Sequence, residues 1–370
     1  MNPVAKADTL AAPRLPESPP TMNALLPLLA CPVTGETGLT FEGDPAGEGL
    51  IRSPSGRAWP VIGGVPRLLP PDLLAPFLQA HFPDFTRRHP EVEAWLRDAP
   101  PAEPAVLETL LDYSFQHVDL ADLGMLVDDW RATWDRFQPG LPPESFAGET
   151  VLEVGCGEGR HAWLVSEHAK CLVGLDLSRG VEVARRRDPR PNAFYVQGDL
   201  RRAPFRPEVF DAFYSNGVLH HTPVPEESFQ AAARLVRRGG RAAVWVYGLD
   251  EMRLTYRLSH LTFLRPLTNR LPRGAQMALA TGMTAAVEVG LWTPARVLER
   301  LGREDLAKRI PYHDAAHREW KYKQRRMFDR LNPPITHYIT REALARWFAG
   351  WSGVEILNAD GQGWSARGRR

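Results

Sequence analysis

The sequence predicts an α/β fold built on parallel strands, and three observations carry that prediction. Residues Thr150 to Ser178 read as a short apolar run (Val151 to Val154), a glycine cluster, a helix-like segment (His161 to Ala169) and a second apolar run ending in Asp176. A strand, tight turn, helix and strand in this order are joined by a right-handed crossover, which makes the two strands parallel. Further short strands follow at intervals: Ala193 to Gln197 before Gly198-Asp199-Leu200, Phe210 to Asn216 before Gly217-Val218-Leu219-His220-His221, and Arg241 to Tyr247 after a helix and Arg238-Gly239-Gly240. Finally, 370 residues with 44% apolar and 24% charged side chains suffice for one large core with additions.

The glycines fall at Gly155, Gly157 and Gly159. A dinucleotide-binding fingerprint would place its third glycine one position later, where this chain has Arg160. Gly155 and Gly157 let the backbone approach a ligand and adopt positive φ, and the amides that open the following helix point at it. Asp176 ends the second strand, where an acid accepts hydrogen bonds from the ribose hydroxyls of a nucleotide-type ligand. The same glycines would also serve a plain turn in an ordinary βαβ unit. The motifs that accompany them favour the ligand.

Taken together, the order and spacing of these pieces over roughly residues 146 to 248, with the C-terminus added, resemble the class I S-adenosylmethionine-dependent methyltransferases. The resemblance implies a Rossmann-like, seven-stranded, mostly parallel sheet with an antiparallel last strand, and S-adenosylmethionine as cofactor. It implies that Glu153, Gly155, Cys156, Gly157 and Gly159 approach the methionine part. Asp176 would meet the ribose, Asp199 and Leu200 the adenine, and Asn216 the region beside the reacting sulfur, with Leu177 also among the cofactor-binding residues. No metal is implied. Methyl transfer from a sulfonium is an in-line displacement of an already activated group, so alignment, worth on the order of 7 kcal/mol or more, is the main requirement. An oxygen acceptor of high pKa adds a general base, and His221, His337 and His220 are the candidates. His220 and His221 follow the fourth strand and so fall at the carboxyl edge of the sheet. His313 and His317 are further candidates from the cap side. The alternative is that His221 supports the next helix and no base is needed.

The remaining chain divides around this core. Formal net charge is only +1, which argues for neither nucleic acid nor an anionic membrane, and the three cysteines, Cys31, Cys156 and Cys171, suit a reducing cytoplasm. No apolar run reaches the length of a membrane span. Residues 1–23, rich in Pro and Ala, are expected to be disordered. Leu25 to Cys31 is too short, too interrupted by Pro27 and too poor in basic flanks for a lipoprotein signal. Residues 24–70, through Cys31-Pro32-Val33-Thr34 and Arg52 to Leu69, resemble the zinc-knuckle domain that activates several transfer-RNA and protein methyltransferases. Only Cys31 fits a ligand position there; Thr34, Arg52 and Ser55 take the other three. One thiolate makes no structural zinc site, so a metal-free remnant held by Leu50, Ile51, Trp59, Val61, Ile62 and Leu68 is expected.

Residues 71–145 alternate prolines with helical patterns, and Trp130, Trp134 and Phe137 are expected to pack the last helix on the sheet edge, with Trp130 or Tyr113 near the cofactor. Residues 249–334 interrupt the sheet as helices (Met252 to Leu264, Ala275 to Val289, Pro294 to Leu301, His317 to Asp329), a cap over the acceptor pocket by resemblance. Within it, Arg253 to Arg270 mixes arginine with apolar residues, as a membrane-surface helix or a packed cap helix would, and Arg318 to Arg326, basic with interleaved aromatics, reads as a solvated face. Residues 335–370 return to the sheet through a helix from Glu342, N-capped by Thr340, and a closing hairpin. In the resembling enzymes of glycan and natural-product pathways a His precedes such a helix, which places His337 at the pocket mouth. The expected function is methyl transfer to a small-molecule or glycan-linked acceptor, through oxygen or nitrogen, with no nucleic-acid or integral-membrane partner. A protein or RNA target, or a scaffold without turnover, is the alternative; the intact cofactor loop speaks against the scaffold.

Overall fold

The computed structural model describes residues 21–120, 127–249, 265–268, 270–358 and 362–370. Its main sheet has seven strands: β5 (Thr150–Val154), β6 (Cys171–Asp176), β7 (Ala193–Gln197), β8 (Phe210–Asn216), β9 (Val236–Tyr247), β10 (Ser352–Leu357) and β11 (Gly363–Arg369), in the order β10-β11-β9-β8-β5-β6-β7. Strands β5 to β9 run parallel, and β11 is antiparallel to both its neighbours. From β5 the chain winds outward to β6 and β7, then returns to add β8 and β9 on the other side. The crevice at the carboxyl ends of β5, β6 and β8 is therefore the topological switch point, where open α/β sheets bind ligands.

The strands form where apolar residues run uninterrupted, as expected of a sheet covered on both faces. Leu152, Val154, Val173, Leu175 and Phe213 pack on one face; Val151, Leu172, Tyr195 and Tyr214 pack on the other. A helix over Val127–Phe137 lies across the second face. Its Trp134 is fully buried and meets Tyr214 edge to face at 5.1 Å, while Phe137 stacks on Trp245 at 4.1 Å. It thus covers the central strands β8 and β9 and not the expected sheet edge, because its aromatics find the large rings of those strands.

Ahead of this sheet stands a four-stranded antiparallel one, β1 (Thr40–Gly43), β2 (Glu48–Arg52), β3 (Ala58–Ile62) and β4 (Val65–Pro66). Leu50, Ile51, Trp59, Val61, Ile62 and Leu68 are all buried in its core. Disorder expected up to residue 23 is corrected for the described part: Met22 and Leu25 are buried in a short helix, Met22–Leu25, that adds their apolar side chains to the same core. Residues 1–20 lie outside the described residues. At the positions expected of a knuckle, the Thr34 N–H donates to Cys31 Sγ at 3.3 Å, and the Ser53 and Ser55 hydroxyls are 2.9 Å apart. Arg52 does not join them. It turns outward to Glu42 and Glu91, at 2.9 and 3.3 Å, and Ser53 takes the inward position.

Edge strand β7 is covered by this small domain, which removes an exposed pairing edge. The Leu68 N–H donates to the Gln197 carbonyl at 2.8 Å. Arg67, 1% exposed, donates to Gln197 Oε1 at 2.9 Å and pairs with Glu182 at 2.9 Å.

Between β9 and β10, helices Arg273–Val287, Thr293–Arg300 and Trp320–Phe328 enclose their own core of Ala280, Trp292, Met327, Phe328 and Leu331. The charged helix begins at Trp320, later than the expected His317. The expected helix Met252 to Leu264, and with it most of the Arg253 to Arg270 stretch, lies outside the described residues. Helix Arg341–Trp347 follows Thr340, whose hydroxyl oxygen accepts from the Ala343 N–H at 3.1 Å. Among the described residues no helix is long and apolar enough to cross a membrane.

Replacing Arg67 by Met removes a buried cation with three partners, Gln197, Glu182 and the Ile62 carbonyl, and leaves Gln197 Oε1 without its donor. A loss of about 3 kcal/mol in urea-unfolding free energy is expected, with Arg67→Lys recovering only part because an ammonium cannot reproduce the fork.

Candidate active site

The loop after β5 sets the geometry. Gly155, Gly157 and Gly159 all have positive φ, at 73°, 49° and 78°. A Cβ at Gly155 would stand 2.3 Å from Val218, and one at Gly157 would stand 2.9 Å from His117, so these positions are closed to side chains by packing as well as by backbone conformation. Asp176 holds the loop in place: Oδ2 accepts the Gly157 N–H at 2.7 Å, and Oδ1 accepts the N–H and hydroxyl of Ser178 at 2.8 and 2.6 Å.

A cavity of about 620 Å3 opens at the switch point, a size usual for small-molecule and cofactor sites. Glu153, Gly155, Cys156 and Gly157 line its floor, with Asp176 and Leu177 beside them. Asp199, Leu200 and Asn216 line it further along, and His221 and Tyr113 face it as well. Gly159 does not line it. This glycine N-caps helix Arg160–Ser166 and packs on Ala184, so its role is in the turn itself. Trp130 is also outside the lining and packs edge to face with Trp163.

Of the three candidate bases, only His221 reaches the cavity. His220 is fully buried and stacked on Tyr247 at 3.9 Å. The His337 N–H donates to the His220 carbonyl at 2.8 Å, and its side chain is not in the lining. His313 and His317 both pair with Glu299 at 2.6 Å on the cap, away from the cavity. His221 Nδ1 lies 2.7 Å from the Ile335 carbonyl oxygen. A carbonyl only accepts, so Nδ1 carries the proton and Nε2 is the basic nitrogen.

Burial dominates the electrostatics of the floor. It raises the Glu153 carboxyl well above the ordinary range, against the opposing effect of the Tyr214 hydroxyl, and among the described residues Glu153 Oε2 has no partner at good hydrogen-bond geometry. Burial likewise raises the Cys156 thiol, and it pushes His161, within 3.2 Å of Asn216, down to about 3. Glu158 behaves in the opposite way. Burial alone would raise it, yet hydrogen bonding to His117 and the charges of Arg325 and Arg160 hold it far below the carboxylate range. Its oxygens pair with Arg187 at 2.6 Å and with Arg325 of the cap.

Glu158, Arg160, His117, Tyr247, Tyr322 and Arg325 all line the cavity, and the sequence reading assigned them no role. The signal present was positional: Glu158 and Arg160 alternate with the glycines, and Arg318, Tyr322, Arg325 and Arg326 recur at helical spacing. That last face, read as solvated, lines the cavity instead, because the cap folds it over the sheet.

A parallel sheet with a glycine turn, a buried acid at the end of β5 and a second acid at the end of β6 defines a nucleotide-type cofactor site. Residues 152–244 match a family model described as a methyltransferase domain. The sheet domain is a class I S-adenosylmethionine-dependent methyltransferase domain. Over 125 residues the chain is 32% identical to the tRNA U34 carboxymethyltransferase of Pseudoalteromonas atlantica, covering 32% of this chain and 38% of that one. It is 30% identical over 161 residues to the tRNA (carboxymethyluridine(34)-5-O)-methyltransferase alkbh8 of Xenopus tropicalis, covering 41% of this chain and 24% of that protein. The chain thus spans less than half the length of these relatives. Among solved structures, the 1,6-didemethyltoxoflavin-N1-methyltransferase of Burkholderia thailandensis is similar at 16% identity and a TM-score of 0.40, covering 74% of this chain and 92% of that one.

The residues fit S-adenosylmethionine. Buried Glu153 Oε2, without a well-placed partner among the described residues, suits a polar group of the cofactor, Asp176 retains acceptor capacity toward hydroxyls, and the cavity joins both to Asp199.

Two outcomes are expected here. Asp176→Ala removes the anchor of the loop, and calorimetry should register at least about a tenfold loss of S-adenosylhomocysteine affinity. The unfolded state protonates His161 near its ordinary value, whereas the folded state does so only near 3, so stability is full above about pH 6.5 and falls as pH drops below it. Unfolding free energy should decline by up to about 1.4 kcal/mol per pH unit through this group, a slope that His161→Asn flattens.

Proposed function

We propose that the whole chain transfers a methyl group from S-adenosylmethionine to a nucleoside of RNA, with transfer RNA the first candidate. The observation that carries this reading is one continuous cavity, running from the cofactor loop to the basic, aromatic face of the cap helix Trp320–Phe328. Tyr113 and Tyr322 offer rings to a base, and arginines of the same wall offer partners to oxygens. The named activities of the curated relatives on tRNA support the same choice, against the expectation of no nucleic-acid partner drawn from net charge. A net charge of +1 describes the whole surface and not one wall.

S-adenosylmethionine, when bound, supplies a methyl group already activated by its sulfonium. The chain's own residues align the acceptor and exclude water. His221 Nε2 takes the proton where the acceptor is a hydroxyl, its ring fixed through the Ile335 carbonyl. Glu153, Asp176 and Asp199 hold the cofactor, with Asn216 beside the reacting centre. The N-terminal sheet is a zinc-knuckle remnant in which the Cys31, Thr34, Ser53 and Ser55 hydrogen bonds stand where a metal would.

A second reading, the small-molecule or glycan-linked acceptor, is favoured by charge matching on the cap: Arg318 pairs with Asp129, and Arg326 with Asp314. Incubation of the protein with methyl-deuterated S-adenosylmethionine and unmodified tRNA, followed by nucleoside mass spectrometry, decides between them. A deuteromethylated nucleoside is expected. None from tRNA, with label in a hydroxylated or glycosylated small molecule, would reverse the order of the two. His221→Gln should lower kcat by about a hundredfold for a hydroxyl acceptor while leaving S-adenosylhomocysteine affinity within twofold.

A further inference from the structure

Gln138, the residue after helix Val127–Phe137, stands behind the cavity wall and touches it through a neighbour. It is 3% exposed, and its Nε2 donates to Asn216 Oδ1 at 2.6 Å. That bond turns the Asn216 amide so that Nδ2 lies 3.2 Å from His161 Nδ1. An NH2 group only donates, so His161 Nδ1 accepts and Nε2 carries the proton of the neutral ring. Burial, with the charges of Arg160 and Arg136 adding to it, pushes His161 down to about 3, and the ring is neutral near pH 7. Gln138, Asn216 and His161 thus form a chain of one polarity, from a helix end through strand β8 to helix Arg160–Ser166. The start of this chain is firmly held. The Gln138 N–H donates to the carbonyl of fully buried Trp134 at 2.7 Å, Phe137 stacks on Trp245, and the Ser365 hydroxyl donates to the Phe137 carbonyl at 2.5 Å. A side-chain amide offers a donor on one side and an acceptor on the other, and half a turn exchanges them. Gln138 decides between the two for Asn216.

We propose that Gln138 is a positioning residue for methyl transfer: through Asn216 it sets the tautomer of His161, so that two uncharged donors, the second N–H of Asn216 Nδ2 and the N–H of His161 Nε2, serve lone pairs of the methyl acceptor. Asn216 and His161 both line the cavity. The acceptor is their partner because the chain lies on the other half of the sheet from the cofactor acids. Asp176 ends β6 and Asp199 follows β7, whereas Asn216 ends β8 and the Phe137 ring beside Gln138 stacks on β9; β5 runs between the two groups. Neutral donors of this kind suit a carbonyl oxygen or a ring nitrogen. The inference rests on the methyltransferase reading of the site and is independent of whether the acceptor is RNA.

The test reads the imidazole nitrogens of His161 by NMR in full-length protein carrying isotope-labelled histidine, the signal being identified by its loss in His161→Asn. The wild type is expected to show the Nε2–H tautomer. Gln138→Met keeps the length of the side chain and loses the donor, so both tautomers should appear. In the same variant S-adenosylhomocysteine affinity by calorimetry should stay within about twofold, while kcat for tRNA methylation falls about tenfold, the worth of one well-placed hydrogen bond. An Nδ1–H tautomer in the wild type would overturn the proposal, as would an unchanged tautomer in Gln138→Met, the result expected if the bond only supports the fold. A loss of S-adenosylhomocysteine affinity in step with turnover would assign the chain to the methyl donor and overturn it too. The wild-type spectrum needs no variant, so a Gln138→Met protein that melts early leaves that decision in hand. Absence of tRNA methylation would count against the RNA reading and leave the tautomer result standing, so the two fail separately.

Discussion

Glu158 is the constraint on which the site depends. It occupies the middle of the glycine turn, and its carboxylate binds helix Gly180–Arg187 through Arg187 and the cap through Arg325. His117, from the segment ahead of the sheet, approaches the same oxygen and also fills the space beside Gly157. Four separate parts of the chain therefore meet at one buried charge. Such a group is tolerated only with its partners in place, so the cofactor loop, helix Gly180–Arg187 and the cap support one another through it.

Much of the fold was legible because its signals are local. The apolar runs of β5 to β9, the glycines and the acids Asp176 and Asp199 announce a doubly wound sheet and its switch point without knowledge of anything distant. Thr340 was legible as an N-cap for the same reason. The helix over Val127–Phe137 was not placed correctly, since periodicity says that Trp134 and Phe137 are buried and not which rings bury them. The face of Arg318, Tyr322, Arg325 and Arg326 was misread for a related reason. A charged stripe looks alike whether water or a cavity covers it, and only the fold of residues 273–331 decides. Glu158 and Arg160 sat inside the motif that drew attention, yet their importance depends on Arg187 and Arg325, far along the chain.

The N-terminal sheet closes its turns through hydrogen bonds. The turn at Cys31 closes with the Gly35 N–H on the Cys31 carbonyl at 2.8 Å, and the second turn closes through the Ser53 hydroxyl, which accepts from the Arg57 N–H at 3.2 Å. Each bond is worth only about 1 kcal/mol net, so the turns also rely on the packing of Trp59, Val61 and Leu68 beneath them. What the sheet does for the rest of the molecule is concentrated at Arg67. Gln197, which Arg67 holds, donates in turn to the Leu177 carbonyl at 3.0 Å, and Leu177 lines the cavity. The small domain thereby supports the wall of the site without reaching into it.

The two adjacent histidines show how finely neighbouring segments divide chemical roles. They lie in one short turn, Leu219–His221, after β8. The Tyr247 N–H donates to His220 Nδ1 at 3.3 Å, so that nitrogen carries the lone pair. The Ile335 carbonyl faces His221 Nδ1, so there the same nitrogen carries the proton. The rings are thus opposite tautomers, one stacked under Tyr247 and closed off, the other presenting a basic nitrogen at the cavity wall. Both partners belong to strands or segments around residues 247 and 335–339, which are themselves joined by the Ile339 N–H on the Tyr247 carbonyl at 2.8 Å. The segment after the cap therefore sets the orientation of His221, because the Ile335 carbonyl fixes which of its ring nitrogens faces the cavity.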